Sequence, residues 1–266
     1  MDSLLKKDIE CFNQIFSRLD AVQQQEYYVN FGYQFTHNST AIEGNTLSYY
    51  EAVTLINDDI TPSGKTLREC LEVKGHDMAF KRMMQLAFEK TPIDDDLVCE
   101  LHKLCMFPAK YAGVYRTSNA YIQGARTKVS NPTQIYQDMR FFYQDLSERT
   151  FNDPVEKAAY THAEFVRIHP FPDGNGRTSR LIMNLSLLND DYPLICIKKE
   201  LRAEYIETLD IYGVERDLKP FTDFLRKTMK KDLEQFFERH NELYKEISKQ
   251  ENAVNLNEST NTFKLK

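Results

Sequence analysis

The chain has 266 residues, 41% of them hydrophobic and 28% charged, with a formal net charge of -6. That composition fits a folded globular protein of one large or two modest domains. Its acidic balance argues against broad phosphate-backbone binding and so against a nucleic-acid partner.

The N-terminal MDSLLKKDIECFNQIF is interrupted by charges and is not read as a signal peptide. No apolar run approaches the ~18 residues of a membrane span. Five cysteines without CxxC spacing point to a reducing compartment, so a cytoplasmic protein with no membrane partner is expected. From Leu4 to Gly44 apolar positions recur at helical spacing, with an aromatic cluster at Tyr27, Tyr28, Phe31 and Phe35 that reads as core. The SGKT at Ser63–Thr66 looks like the end of a phosphate-binding loop, but Asp59 stands where that pattern needs glycine. Gly64 then marks a turn, and Ser63 or Thr66 caps a helix through LRECLEVKGHDMAFKRMMQLAF. Another helix starts near Asp94. The segment YRTSNAYIQGARTKVSNP, Tyr115 to Pro132, mixes β-branched and aromatic residues around Gly124 and reads as a short β-hairpin with a polar tip, or else as a surface connection. The fold expected is all-α with a short β-hairpin flap. The final ENAVNLNESTNTFKLK is polar and aperiodic and reads as a disordered tail.

The densest chemistry lies in HPFPDGNGRTSR, His169 to Arg180. The helix before it is signalled by Asp153 as N-cap, Pro154 in the first turn and Glu156 at the capping-box position. Val155, Ala158, Ala159, His162, Phe165 and Val166 form its apolar stripe. Pro170 disfavours helical geometry at His169, which delivers that histidine to the start of a loop. The next helix begins inside GNGRTSR, with Leu181, Ile182, Leu185 and Leu188 as its buried stripe. Gly174 and Gly176 let the backbone curl, so the first amides form an anion nest at a helix N-terminus. Arg177 and Arg180, three apart, sit at the unfavourable positive end of the helix dipole, which makes sense if an anion binds between them. Two guanidiniums and a row of amides suit several phosphates. Asp173 is placed to hold Mg2+ on them, and His169 can accept a proton near neutral pH. Those are the parts of phosphoryl or nucleotidyl transfer.

The segment resembles, without a mismatch, the Fic family signature HxFx(D/E)GNGRxxR, and the likeness extends from about Ile93 to Arg226. It implies a protein adenylyltransferase that moves AMP from ATP, with Mg2+, to a Ser, Thr or Tyr hydroxyl of a protein, itself included. By the same likeness His169 is the general base and Asp173 the Mg2+ ligand. Gly174, Asn175 and Gly176 form the anion hole, with the Asn175 side chain near the α-phosphate. Arg177 contacts the leaving phosphates and Arg180 the γ-phosphate. Phe171 is a packing anchor. Tyr205 matches a tyrosine near the adenine, while Tyr212-Gly213 departs from the relatives and leaves base preference open. The hairpin residues Tyr121, Ile122, Gln123 and Gly124 match the flap that docks the target.

A second likeness concerns STAIEGN, Ser39 to Asn45, which resembles the inhibitory motif (S/T)xxxE(G/N). It implies that Glu43 pairs with Arg180 and blocks productive γ-phosphate binding. Ser39 is one helical turn from Glu43 and can steady its carboxylate, Gly44 suits a C-terminal cap, and a glutamate at that end of a helix calls for a cation. The organisation implied is an N-terminal helical region carrying the inhibitory motif (1–92), the Fic core (93–226), a C-terminal helix (227–250) and the tail (251–266). Three other readings are weighed: AMP removal with Glu43 orienting a water, a toxin-type phosphotransferase that intact DGNGR opposes, and a nucleotide-binding module without turnover that His169 opposes. Homodimerisation, the target and the trigger are left open.

Overall fold

The computed structural model describes residues 3–122 and 124–249; Gln123 and the expected tail lie outside the described residues. Ten α-helices account for most of them: α1 (Ser3–Arg18), α2 (Ala21–Ile42), α3 (Tyr49–Asp58), α4 (Leu67–Phe88), α5 (Asp95–Cys105), α6 (Ile135–Glu148), α7 (Pro154–Ile168), α8 (Asn175–Asn189), α9 (Arg202–Glu215) and α10 (Lys219–Arg239). Residues 241–249 are again helical. The all-α class is as expected.

The single helix read over Leu4–Gly44 is two. The Asp20 side chain accepts from the Gln23 amide while the Gln23 side chain accepts from the Asp20 amide, so a capping box restarts the chain at α2. Thr66 caps α4, Asp94 caps α5 and Asp153 caps α7, the last accepting from the amides of Val155 and Glu156. Glu156 reaches back to the Asn152 amide instead of completing a box with Asp153. Gly64 makes its turn with φ of 76°. Helices α3 and α6 were not anticipated.

Helix α8 is the axis of the molecule. Every residue from Arg177 to Leu187 is buried, so it has no solvent face and must be wrapped on all sides. Helix α7 packs along it, and α2, α4 and α5 cover its other flank. Helices α9 and α10 lie against α7, and α1 against α10. One core cluster runs from Leu5 to Ile247, so the N-terminal helices share it with the motif helices. Among the described residues no helix is long and apolar enough to cross a membrane, and all five cysteines are free thiols.

The expected β-hairpin is absent: among the described residues there is no strand. The two limbs of the 115–132 segment are linked by the Arg116 side chain to Ser130 O, while their amides donate to other parts of the chain. The Arg116 amide donates to Pro170 O (2.9 Å) and the Ser130 amide to Ile168 O (3.3 Å). Further along, the amides of Arg126 and Thr127 both donate to Asp210 Oδ1 on α9 at 2.9 Å. With its backbone donors engaged elsewhere, the segment forms an irregular loop with a turn at Gly124, φ 80°.

Candidate active site

Helix α7 ends at Ile168 because Pro170 follows one residue later, and His169 takes the left-handed conformation, φ 55° and ψ 59°. That turn swings the chain across the N-terminus of α8. The His169 Nδ1 lies 3.3 Å from Val166 O, so Nδ1 carries the proton and Nε2 is left as an acceptor. Burial pushes the ring's pKa down to about 4, so His169 is neutral near pH 7.

The loop between the two helices is braced from several sides. Asn175 Oδ1 accepts from the Phe171 amide (2.9 Å) and its Nδ2 donates to Phe171 O (2.8 Å). The Asn175 side chain thus braces the loop. Phe171 is fully buried and stacks on His102 with ring centroids 3.6 Å apart, as its anchoring role requires. His102 was not foreseen. Its Nδ1 accepts from the Gly113 amide (2.8 Å), so its Nε2 bears the hydrogen and donates to Asp173 O (2.9 Å). Gly174 is left-handed, φ 77°, and a Cβ there would lie 2.4 Å from Met106 Sδ. Only glycine fits that position.

Burial likewise holds His102 neutral, its pKa pushed down to about 4. In the unfolded chain both rings titrate near 6.5. Below that value the unfolded state takes up protons that the folded state refuses until about pH 4, so stability is full above 6.5 and is lost as pH falls through this window. Each ring contributes a slope of up to about 1.4 kcal/mol per pH unit. Thermal unfolding should occur at lower temperature at pH 5 than at pH 7, and His102→Gln should flatten that dependence; an unchanged slope would exclude His102 as a contributor.

The first amides of α8 have no carbonyl ahead of them within the helix. The Asp173 carboxylate, half exposed, accepts from the Gly174 amide (2.6 Å) and lies 3.6 Å from Arg177 Nη2. Arg177 is buried, and its Nε has no hydrogen-bond partner. A buried guanidinium with an unmet donor beside a helix N-terminus is a site for an anion.

Arg180, the larger claim of the sequence, is 1% exposed. Its Nη2 donates to Glu43 Oε1 at 2.7 Å and to Ser39 O at 2.8 Å, and its Nε donates to Ser39 Oγ at 2.9 Å. Ser39 thus holds the arginine and does not steady the Glu43 carboxylate. Gly176 shows where that carboxylate sits: a Cβ on Gly176 would be 2.4 Å from Glu43 Oε1. Glu43 therefore lies directly over the first turn of α8. It is the C-cap of α2, and Gly44 follows with φ 102°.

Tyr205 is not beside an open cleft. It is 1% exposed, receives Arg180 Nη1 (3.2 Å) and lies within hydrogen-bond distance of His162 Nε2 (2.8 Å). Its place is under Arg180. Tyr212 donates to Glu164, and Gly213 leaves room for Thr127, which a Cβ there would meet at 2.0 Å. Of the loop residues, Tyr121 is exposed, Ile122 is half-buried and Gly124 turns the chain. Ile122 and Thr127 close a cleft of about 30 Å³ against Val166, Leu209 and Gly213. The largest clefts lie elsewhere, along α2 and α4.

Residues 92–187 match the Fic/DOC family model. The protein adenylyltransferase fic-1 of Caenorhabditis elegans is 34% identical over 208 residues, 76% of this chain and 40% of the relative. The protein adenylyltransferase Fic of Drosophila persimilis is 30% identical over 234 residues, 86% of this chain and 44% of the relative. The chain thus spans less than half the length of these curated relatives. Among solved structures, Fic-1 from C. elegans superposes with TM-score 0.76 at 27% identity, covering 88% of this chain and 70% of that one. A Fic-domain signaling protein from Bacteroides thetaiotaomicron gives TM-score 0.78 at 26% identity, covering 87% and 95%.

Proposed function

This chain belongs to the Fic/DOC family, and on that premise we propose that it transfers AMP from ATP to a hydroxyl side chain of a protein and is held inactive by its own Glu43. The observation that carries the reading is the position of the Glu43 carboxylate, bonded to Arg180 and lying over Gly176 at the N-terminus of α8. One anion occupies the place where the motif would grip another.

In the transfer, the target hydroxyl oxygen bonds to the α-phosphorus and the bond from that phosphorus to the β-phosphate bridging oxygen breaks. Pyrophosphate leaves, and the hydroxyl proton passes to His169 Nε2, the free acceptor of the ring. The amides of Asn175 and Gly176 face the phosphates, and that of Gly174 joins them when it leaves Asp173 Oδ1. Arg177 meets the leaving phosphates with its unpartnered Nε, and Arg180 meets the γ-phosphate once Glu43 withdraws. Among the described residues no cluster of three or more His, Cys, Asp or Glu side chains could cage a metal. The single, half-exposed Asp173 carboxylate suits Mg2+, which completes its shell from water and phosphate. Bound there, Mg2+ would neutralise phosphate charge.

We place the target peptide beside the exposed loop at Tyr121–Gly124. Without a strand edge to extend, docking rests on loop side chains and backbone and not on a preformed hairpin. The small cleft behind Ile122 holds no more than about two waters, so a nucleobase there requires Arg126 and Thr127 to give up their hold on Asp210. A cytoplasmic setting and the division into an inhibitory region, core and C-terminal helix remain part of this reading.

A second reading has one observation in its favour. Glu43 Oε1 bonds Arg180, while Oε2 has no hydrogen-bond partner among the described residues. That oxygen can orient a water for removal of AMP from a modified protein. Arg177→Ala separates binding from chemistry in either direction: Mg·ATP affinity should fall by roughly tenfold or more, the loss of a charge-assisted hydrogen bond worth about 1.5–3 kcal/mol. Calorimetry checks this, and unchanged affinity would remove Arg177 from the phosphate site.

A further inference from the structure

His169 holds a left-handed backbone conformation, φ 55°, that is uncommon for a residue with a Cβ and that needs support from its surroundings. That support is found 53 residues earlier. Arg116 is 4% exposed. Its Nε donates to His169 O (2.7 Å), and its Nη2 reaches Ser130 O (2.6 Å) and, more weakly, Ile168 O (3.4 Å). Its Nη1 donates to Ser118 O (2.8 Å), and its own amide donates to Pro170 O (2.9 Å).

Three features set this arginine apart. Its guanidinium is bonded to four backbone carbonyls, yet no carboxylate among the described residues lies within ion-pair distance of it. Those carbonyls come from both roots of the exposed loop, Ser118 and Ser130, and from both sides of the α7 terminus, Ile168 and His169. A planar fork with five donors in fixed directions can satisfy this set; a lysine ammonium can reach only part of it.

We propose that Arg116 is the positioning residue of the active site: by holding His169 O it fixes the left-handed turn that aims the imidazole, and by holding Ser118 O and Ser130 O it ties the target-docking loop to that same point. The base and the bound hydroxyl then share one frame, so their separation does not depend on the loop's own stiffness. Arg116 touches neither substrate nor reacting atoms. This inference rests on the function proposed above only for its kinetic consequence; the placement of His169 can be measured without any substrate.

The test uses Arg116→Gln and the milder Arg116→Lys, each in the Glu43→Gly chain. In the nucleotide-free protein, the His169 imidazole is titrated by NMR. The parent should keep a neutral ring down to about pH 4. In the variants His169 should move toward 6.5 while His76 and His162, buried elsewhere, stay where they were. In the transfer assay kcat should fall about 10²-fold, the cost of misplacing a reacting group by about an ångström, with Mg·ATP affinity unchanged within a few-fold. Lysine should recover part of what glutamine loses. The proposal is overturned if a folded Arg116→Lys chain keeps the parent's His169 titration and kcat. It is equally overturned if all histidines shift together with loss of thermal stability, which is the mark of a general structural role. If the Glu43→Gly parent itself transfers nothing, the functional reading fails and the titration still decides the role of Arg116.

Discussion

Replacing His169 by alanine in the Glu43→Gly chain should lower AMP transfer by about 10²–10⁴-fold and leave Mg·ATP binding close to its parent value. The separation follows from where the groups are. The proposed phosphate grip consists of the α8 amides, Arg177 and Arg180, and none of these is bonded to the His169 side chain; the ring's own hydrogen bond is to Val166 O. Removing the imidazole takes away the proton acceptor and nothing that meets a phosphate. The loop should survive the change, since Asn175, His102 and Arg116 all hold backbone atoms. Calorimetry with Mg·ATP and a labelled-AMP assay on the same preparations check both halves. Loss of binding with transfer retained would reverse the assignment of roles. With the ring's pKa near 4, the acid limb of kcat/KM in the parent should also fall well below pH 6.5.

Glu43→Gly should switch the protein on. Arg180 Nη2 can serve the Glu43 carboxylate or a γ-phosphate, and the carboxylate also lies over Gly176, where the phosphates would approach. On the proposed function a nucleotide would be turned or displaced with Glu43 in place, and a shift of about an ångström costs ~10²-fold in rate, so labelling should rise by at least about that factor on mutation. Arg180 is not stranded by the change. It keeps Ser39 Oγ, Ser39 O and Tyr205 OH as acceptors, so the buried guanidinium is still largely satisfied. The Glu43 side chain is 40% exposed, which weakens the ion pair, and stability should fall by only about 1 kcal/mol. Equal labelling of wild type and variant, both above a His169→Ala blank, would make the Glu43–Arg180 pair a structural contact.

The parts of this site that could be read from the chain are those whose chemistry is local. The nest, the two arginines and the proline that ends α7 lie within twelve residues, and helix periodicity with capping residues placed the flanking helices. At Glu43 helix-end chemistry called only for some cation; the pairing with Arg180 came from the resemblance to the inhibitory motif. Most of what was missed concerns partners far along the chain. The 115–132 segment has strand-like residues, but strands need a partner, and its donors go to Ile168, Pro170 and Asp210. Tyr205 and Asn175 carry side chains that suit a ligand, yet each is engaged by the protein, Tyr205 by His162 and Arg180 and Asn175 by the Phe171 backbone. Arg116 and His102 act on carbonyls, and a carbonyl partner leaves no trace in residue type. The break between α1 and α2 did have a signal, the Asp20–Gln23 capping pair, obscured by apolar periodicity on both sides.

The most direct measurement is the intact mass of the Glu43→Gly protein after incubation with ATP and Mg2+, alongside Glu43→Gly/His169→Ala. The account predicts a gain equal to one or more AMP groups in the single variant and none in the double. A gain of phosphate would mean that the γ-phosphorus and not the α-phosphorus is attacked, and an unmodified single variant that also fails to label any added protein would contradict transfer altogether.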